Sequence, residues 1–190
     1  VMYKEVVKQQ SRLLKKIHKM PEINFLVKSD NATAYDKCWL RDILYRHKQF
    51  FIINDWKTIE KTVKKVLENF IRNEYKIDAV IDEEDALRMQ SVVYYNKGSQ
   101  EDHFWDEWNH KQYDSIGILL YIIAELEQHK GSFINDDLDH LRITNKLIRY
   151  LQKIQYWNDE ARRFWEEKEE LHASSIADCL RGLKAIQSIP

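Results

Sequence analysis

The stretch YDSIGILLYIIAELEQH, residues 113–129, is apolar on nearly every side of a helical wheel. A surface helix keeps one polar face, so a helix of this composition needs other helices to cover it. Its apolar run, Ile116 to Ala124, is about half of the roughly 20 residues that a membrane-spanning helix requires. Gly131 follows the stretch as a helix stop signal. The stretch therefore predicts the central helix of a layered helical domain.

Five further segments flank this central helix in the sequence. Apolar residues at helical spacing predict helices over residues 3–17, 39–51, 55–70, 136–155 and 174–186. Pro21 closes the first segment, and Asn54 or Asp55 caps the third. Amphipathic helices alternate with more apolar ones, which suggests two concentric layers. A helix pair that recurs about every 60 residues is compatible with a helical toroid.

The composition supports one helical domain and excludes several classes of partner. Four glycines and two prolines in 190 residues are far below average usage and argue against many tight hairpins. The 30 basic and 31 acidic residues leave a net charge of −1, so we expect neither nucleic acid nor a membrane as a partner. The two cysteines, Cys38 and Cys179, lack metal-ligand spacing and are expected to be small buried hydrophobes. We expect no metal and no cofactor, and no targeting signal is recognised, so a cytoplasmic location is favoured.

The segment from Asp78 to Trp108 differs from the rest of the chain, because it shows no clean period and is longer than an ordinary connection. Long irregular segments inside compact domains are usually functional or disordered. Its aromatic residues favour an ordered, functional segment; they include Tyr94, Tyr95, Phe104, Trp105 and Trp108.

Three clusters of aromatic and ionisable residues lie in or beside the connections, and each comes before a predicted helix. They are YDKCWLRD at 35–42, FWDEWNHKQYDSIG at 104–117 and FWEEKEELHASS at 164–175. Each allows a structural interpretation: a core Trp with a surface ion pair, a structural His110, or an exposed acidic turn. In the functional interpretation a glutamate is partly desolvated against Trp165, which raises its pKa enough for proton donation at neutral pH. Together the clusters would form a pocket for a polar, ring-shaped ligand.

These runs resemble a known family. WLRD at 39–42, WNHKQYDSIG at 108–117 and FWEEKEELHASS at 164–175 occur in the order and approximate spacing seen in family 15 glycoside hydrolases, the glucoamylase-like enzymes. The HxQxDxxG and LxASS patterns within them are also similar to the amino-terminal domains of phosphorylase kinase alpha and beta subunits. The resemblance implies an all-α (α/α)6 toroid, of which residues 1–190 would be the N-terminal half in a longer chain. The remaining half of the barrel, or a second copy, would then cover the exposed apolar flank.

The resemblance also implies a reaction, the inverting hydrolysis of α-glucosidic bonds from the non-reducing end of a glucan or oligosaccharide. Inversion needs a general acid and a general base that are typically about 6.5 to 9.5 Å apart. The general acid implied is Glu166, and no residue of this chain matches the family's general base. The isolated chain is therefore expected to be inactive. The substrate-binding residues implied are Trp39, Arg41, Asp42, Trp108, Gln112 and Glu167.

Two departures keep an alternative open. The family usually has a glycine two residues before the Trp of the acidic motif, where this chain has Arg163. The kinase subunits share the fold without an established hydrolytic role, so a non-catalytic glucan-binding or regulatory domain is the alternative. Their Trp-Glu is commonly followed by Arg, so the doubled Glu166 and Glu167 favour an enzyme. A helical scaffold with no sugar site is a third interpretation.

Overall fold

The structure is a computed structural model that describes residues 8, 12, 37–82, 94–96, 113–134, 136–158 and 171–189, with backbone alone for 37–39, 48 and 94–96. The described part is helical apart from one pair of short strands, so the prediction of an all-α fold is confirmed. The helices are α1 (Leu40–Ile52), α2 (Trp56–Arg72), α3 (Glu74–Asp82), α4 (Tyr113–Lys130), α5 (Leu138–Lys153) and α6 (Ala173–Gln187). The strands are β1 (Lys37–Trp39) and β2 (Tyr94–Asn96).

Helix α4 is the centre of the described fold, as its sequence predicts. Between Tyr113 and Glu127, every residue except Tyr121 and Glu125 is buried. The helix stops where expected, because Gly131 has a φ of 73°, a conformation that glycine adopts without strain.

Helices α4 and α6 are in direct backbone contact through two glycines. A Cβ atom at Gly117 would lie 2.5 Å from the backbone of Asp178, and one at Gly182 would collide with the carbonyl oxygen of Gly117. Only residues without a side chain fit at this crossing. The close approach fixes the position of α6 relative to α4.

Helices α1, α4 and α6 run in the same direction. Arg41 at the start of α1 meets Asp114 at the start of α4, and Phe51 near the end of α1 packs edge-on against Tyr121. The side chain of Gln128, near the end of α4, donates a hydrogen bond to Ser188, just after α6, at 3.2 Å. Because the three helices are parallel, their amino-terminal ends point toward the same side of the molecule.

Helices α2, α3 and α5 form a second layer around this set. The buried residues of α2 lie on one face and include Ile59, Val63, Val66, Leu67 and Phe70. Glu74 at the start of α3 accepts hydrogen bonds from the Arg142 guanidinium of α5 at 2.9 Å and pairs with Lys146 at 2.8 Å. The predicted two-layer arrangement therefore holds in the described residues.

Two expectations about these helices are wrong. The 78–108 segment is not irregular throughout, because its first residues belong to α3, which was not predicted, and its middle forms β2. The apolar spacing that predicts the helix over residues 136–155 places Leu138 and Leu141 on its core face, but these side chains are 79% and 36% exposed. The buried stripe of α5 runs instead through His140, Ile143, Thr144, Leu147, Tyr150 and Leu151.

The boundaries of the predicted helices that lie within the described residues are confirmed within two residues. Asp55 is the cap of α2, since its carboxylate accepts the Thr58 amide hydrogen bond at 3.2 Å. The predicted helix over residues 3–17 lies outside the described residues except at 8 and 12, which are both helical.

The short sheet joins the irregular segment to the start of α1. Strands β1 and β2 are antiparallel, with Trp39 opposite Tyr94 and Lys37 opposite Asn96. Part of the aromatic-rich segment is thus held beside the WLRD run.

Candidate active site at the amino-terminal rim

The amino-terminal ends of α1, α4 and α6 form a rim, which we define by Arg41, Asp42, Asp114 and Ser174. Two of the predicted site residues, Arg41 and Asp42, lie in the first turn of α1 with their side chains described. Trp39 is the last residue of β1, directly before α1, and only its backbone is described. The other predicted site residues lie outside the described residues; they are Trp108, Gln112, Glu166 and Glu167.

A buried ion pair bridges two helices at the rim. The Nε atom of Arg41 lies 3.3 Å from Oδ2 of Asp114, and the two side chains are 4% and 6% exposed. The other oxygen of Asp114 accepts a hydrogen bond from the Ser115 amide at 2.9 Å. The carboxylate also lies at the positive end of the α4 dipole, where a negative charge is stabilised. The surface ion pair of the structural interpretation is therefore wrong for Arg41, whose charge is buried.

Asp42 is the partly buried acid of the rim. Burial raises the pKa of its carboxyl group, and the neighbouring Arg41 charge opposes that rise. A partly desolvated carboxylate makes strong hydrogen bonds to hydroxyl groups because little water competes for it. Asp42 can therefore act as a hydrogen-bond acceptor for a polar ligand.

Below the rim, Tyr45 and Asp178 connect α1 to α6. The Tyr45 hydroxyl donates a hydrogen bond to Oδ2 of Asp178 at 2.7 Å. Burial and this hydrogen bond raise the pKa of Tyr45, so the phenol stays protonated. With Arg41 and Asp114, the pair forms a polar layer that links all three parallel helices.

Cys179 is structural, as the sequence predicts. Its thiol is fully buried and donates to the Tyr113 carbonyl oxygen at 3.2 Å. Burial raises the pKa of the thiol, which leaves it protonated and a poor nucleophile.

The start of α6 carries polar atoms without a described partner. His172 occupies the cap position but makes no side-chain capping bond. Its Nε2 atom and the Ser174 hydroxyl are buried and have no hydrogen-bond partner among the described residues. The segment with Glu166 and Glu167 leads along the chain into this end of α6.

Sequence reasoning missed Tyr45, Asp114 and Asp178 as members of the site. Asp114 lies within the WNHKQYDSIG run, so its presence in a motif was a usable signal. Tyr45 lies four residues after Arg41, on the same face of α1. Asp178 had no sequence signal, because only the glycine contact between α4 and α6 brings it near Tyr45.

The described residues lack two features, a metal-binding cluster and a membrane-spanning helix. They contain no group of three or more His, Cys, Asp or Glu side chains that could hold a metal ion. Within the described ranges, no helix is long and apolar enough to cross a membrane.

The described helices and their polar rim define a layered helical protein, and comparisons with known proteins identify its family. The family model of Glycosyl hydrolases family 15 matches residues 5–188, and the chain belongs to this family. A solved structure described as a glycosidase is similar to 98% of this chain with a TM-score of 0.66 and 20% sequence identity. The chain spans 51% of that structure's length. A comparison with curated proteins finds no match.

At this identity the structural likeness concerns the fold alone. The prediction of an all-α fold of the toroid type is confirmed by it, whereas the assignment of residues 1–190 to one half of a longer domain stays a prediction. The relation to phosphorylase kinase subunits stays a prediction.

Proposed function

We propose that this chain is the N-terminal half of a glucoamylase-like catalytic domain that hydrolyses α-glucosidic bonds from the non-reducing end with inversion. Membership of family 15 supports a glycosidase. The observation that carries the proposal is the rim, where buried Arg41 pairs with Asp114 at the start of α4 and partly buried Asp42 lies beside Arg41. The segments that contain the other predicted site residues lead along the chain into the same two helix ends.

Inversion divides the work between two carboxyl groups on opposite faces of the sugar ring. Glu166 is the proposed general acid that protonates the leaving oxygen. The proposed general base activates a water molecule and belongs to the half of the toroid that residues 1–190 do not match. The rim therefore supplies substrate binding and proton donation in this proposal.

Each remaining rim residue has a role that its chemistry allows. Arg41 donates hydrogen bonds to the hydroxyl groups of the terminal glucose, and Asp42 accepts hydrogen bonds from them. Trp39 and Trp108 offer aromatic faces to the apolar side of the sugar ring. Gln112 and Glu167 complete the polar wall beside the acid.

The experiment that tests the proposal is glucose release from maltooligosaccharides by the full-length protein. Glu166→Gln is expected to lower kcat by about 10²- to 10⁴-fold, the usual contribution of a general acid. Glu169→Gln, the same chemical change in the same segment, is the matched control and should retain the wild-type rate. A Glu166→Gln protein with wild-type turnover would eliminate the assignment. Residues 1–190 alone should release no glucose, because inversion requires both carboxyl groups.

A non-catalytic glucan-binding or regulatory domain is the second candidate, and one observation favours keeping it. Asp114 and Gly117, which belong to the pattern that the kinase subunits share, hold helices together in this structure. Their presence is therefore explained by the fold without hydrolysis. Maltose binding that quenches tryptophan fluorescence, without any glucose release, would support this candidate. A protein that shows neither would be a helical scaffold with no sugar site.

A further inference from the structure

Asp114 is a buried carboxylate that none of the proposed catalytic roles uses. We propose that Asp114 is a positioning residue that orients the Arg41 guanidinium for the substrate, an inference that rests on the proposed function. It acts through Arg41 and makes no contact with the sugar itself.

Arg41 is almost inaccessible to solvent. Its side chain is only 4% exposed, so a ligand can meet a small part of the guanidinium. Because the guanidinium is planar and its N–H donors have fixed directions, a small rotation would change which donors a ligand can reach. The orientation of the group therefore matters more here than at an exposed site.

Asp114 constrains this orientation from the side of α4. Its Oδ2 atom lies 3.3 Å from Nε of Arg41, the nitrogen closest to the aliphatic stem. The contact is an ion pair and not a hydrogen bond, because Nε does not meet hydrogen-bond geometry there. It draws the Nε side of the guanidinium toward α4 and limits the directions in which the coplanar terminal nitrogens can donate.

Asp114 is itself held in place by its neighbours. Its Oδ1 atom accepts the Ser115 amide hydrogen bond at 2.9 Å. Helix α4 is held against α6 by the contact at Gly117, where a Cβ atom would lie 2.5 Å from the Asp178 backbone. A carboxylate on such a fixed helix transmits its position to Arg41.

A second buried carboxylate on α4 allows the positioning role to be distinguished from a structural role. Glu127 is a second buried carboxylate on α4, 3% exposed, and it accepts hydrogen bonds from the Phe133 and Ile134 amides. It lies 13 residues from Asp114, or about 20 Å along the helix axis. If Asp114 mattered only for stability, removing either carboxylate would have the same kind of effect on catalysis.

The test is a double-mutant cycle in the full-length protein that combines Asp114→Asn with Arg41→Lys. A lysine keeps the charge but has no planar fork, so orientation by Asp114 loses its effect. Asp114→Asn should lower kcat/KM by about 10- to 100-fold with Arg41 present, since small misplacements of positioning groups have effects of this size. In the lysine background the same change should lower kcat/KM less than about twofold.

Glu127→Gln provides the matched control, and it should lower kcat/KM equally in both backgrounds. If Asp114→Asn also has equal effects in both backgrounds, the positioning role is wrong. Should the Asn variant fail to fold, Asp114→Glu keeps the carboxylate and displaces it, and the same comparison of backgrounds decides. A wild-type protein that releases no glucose would refute the proposed function. The same cycle, measured on the Kd of maltose by tryptophan fluorescence, would then still decide the positioning role.

Discussion

The two ends of helix α4 carry the same pair of features, a buried carboxylate and a glycine, but they use them differently. At the carboxyl-terminal end, Glu127 binds amides six and seven residues away, and Gly131 forms the stop of the helix. At the amino-terminal end, Asp114 binds an arginine 73 residues away, and Gly117 admits a neighbouring helix. The carboxyl-terminal end therefore makes local contacts, and the amino-terminal end joins α4 to α1 and α6.

The largest difference between the two ends is expected for their carboxylates. Asp114→Asn removes a buried counterion of Arg41 and should lower the free energy of unfolding by about 3 to 5 kcal/mol. Glu127→Gln keeps an acceptor oxygen for the two amides and should lower it by about 1 to 2 kcal/mol. Urea unfolding followed by circular dichroism measures both values.

A second variant sharpens this comparison. The joint replacement Arg41→Met with Asp114→Leu removes both charges and should recover most of the lost stability, because an apolar pair has no desolvation penalty. Equal losses for Asp114→Asn and Glu127→Gln would contradict the view that the amino-terminal pair is the more demanding one.

The two glycines should differ next. Gly117→Ala places a methyl group 2.5 Å from the Asp178 backbone and should lower the free energy of unfolding by about 2 to 3 kcal/mol. Gly131→Ala meets no atom within 4 Å, so only the φ of 73° opposes it, at about 1 to 2 kcal/mol. Thermal unfolding of the two alanine variants gives the ranking. A larger loss at Gly131 would mean that backbone conformation outweighs helix contact in this fold.

The smallest effect concerns the exposed ion pairs between α3 and α5, which contrast with the buried pair at the rim. Hydrogen bonds from Arg142, and then from Lys146, hold the pKa of Glu74 below its usual value of 4.5. The unfolded chain therefore binds the proton more readily, so this contribution to stability is present above pH 4.5 and is lost as the pH falls through the lower folded value.

Glu74→Gln removes this pH dependence, and the fall in stability below pH 4.5 should be shallower in the variant than in wild type. Added salt should reduce the wild-type advantage over this variant, because the Arg142 side chain that pairs with Glu74 is 46% exposed and ions in solution screen the pair. The same salt should leave the destabilisation of Asp114→Asn nearly unchanged, since that pair is buried. An identical salt response of both variants would remove the distinction between buried and exposed pairs.

Much of the local structure could be predicted from the sequence, since its causes lie within a few residues. Asp55 as a cap, Gly131 as a stop and the apolar run of α4 act through neighbours on the same helix. The misplacement of Leu138 and Leu141 shows the limit of this reasoning. Either leucine fits an apolar stripe, and only the position of the surrounding helices decides that the stripe begins at His140.

The candidate site, like the fold, could be predicted only in part. Arg41 and Asp42 were found from a motif, and the resemblance to family 15 that they helped to carry is confirmed. The roles of Glu166 and of the substrate-binding residues stay predictions. Asp178 could not have been found, because nothing in its own neighbourhood indicates that Tyr45 of another helix will donate to it.

The sequence by itself determined the class of the protein, a layered helical domain around residues 113–129. Three short runs of sequence carry the resemblance to the family. Local periodicity and composition carry that information, because the apolar face that each helix must bury is visible in its own sequence. Only the tertiary structure decided that Arg41 is buried against Asp114 and that Tyr45 reaches Asp178. Those contacts join residues 73 and 133 positions apart, so they depend on how separate helices pack, as α4 and α6 do at Gly117 and Gly182.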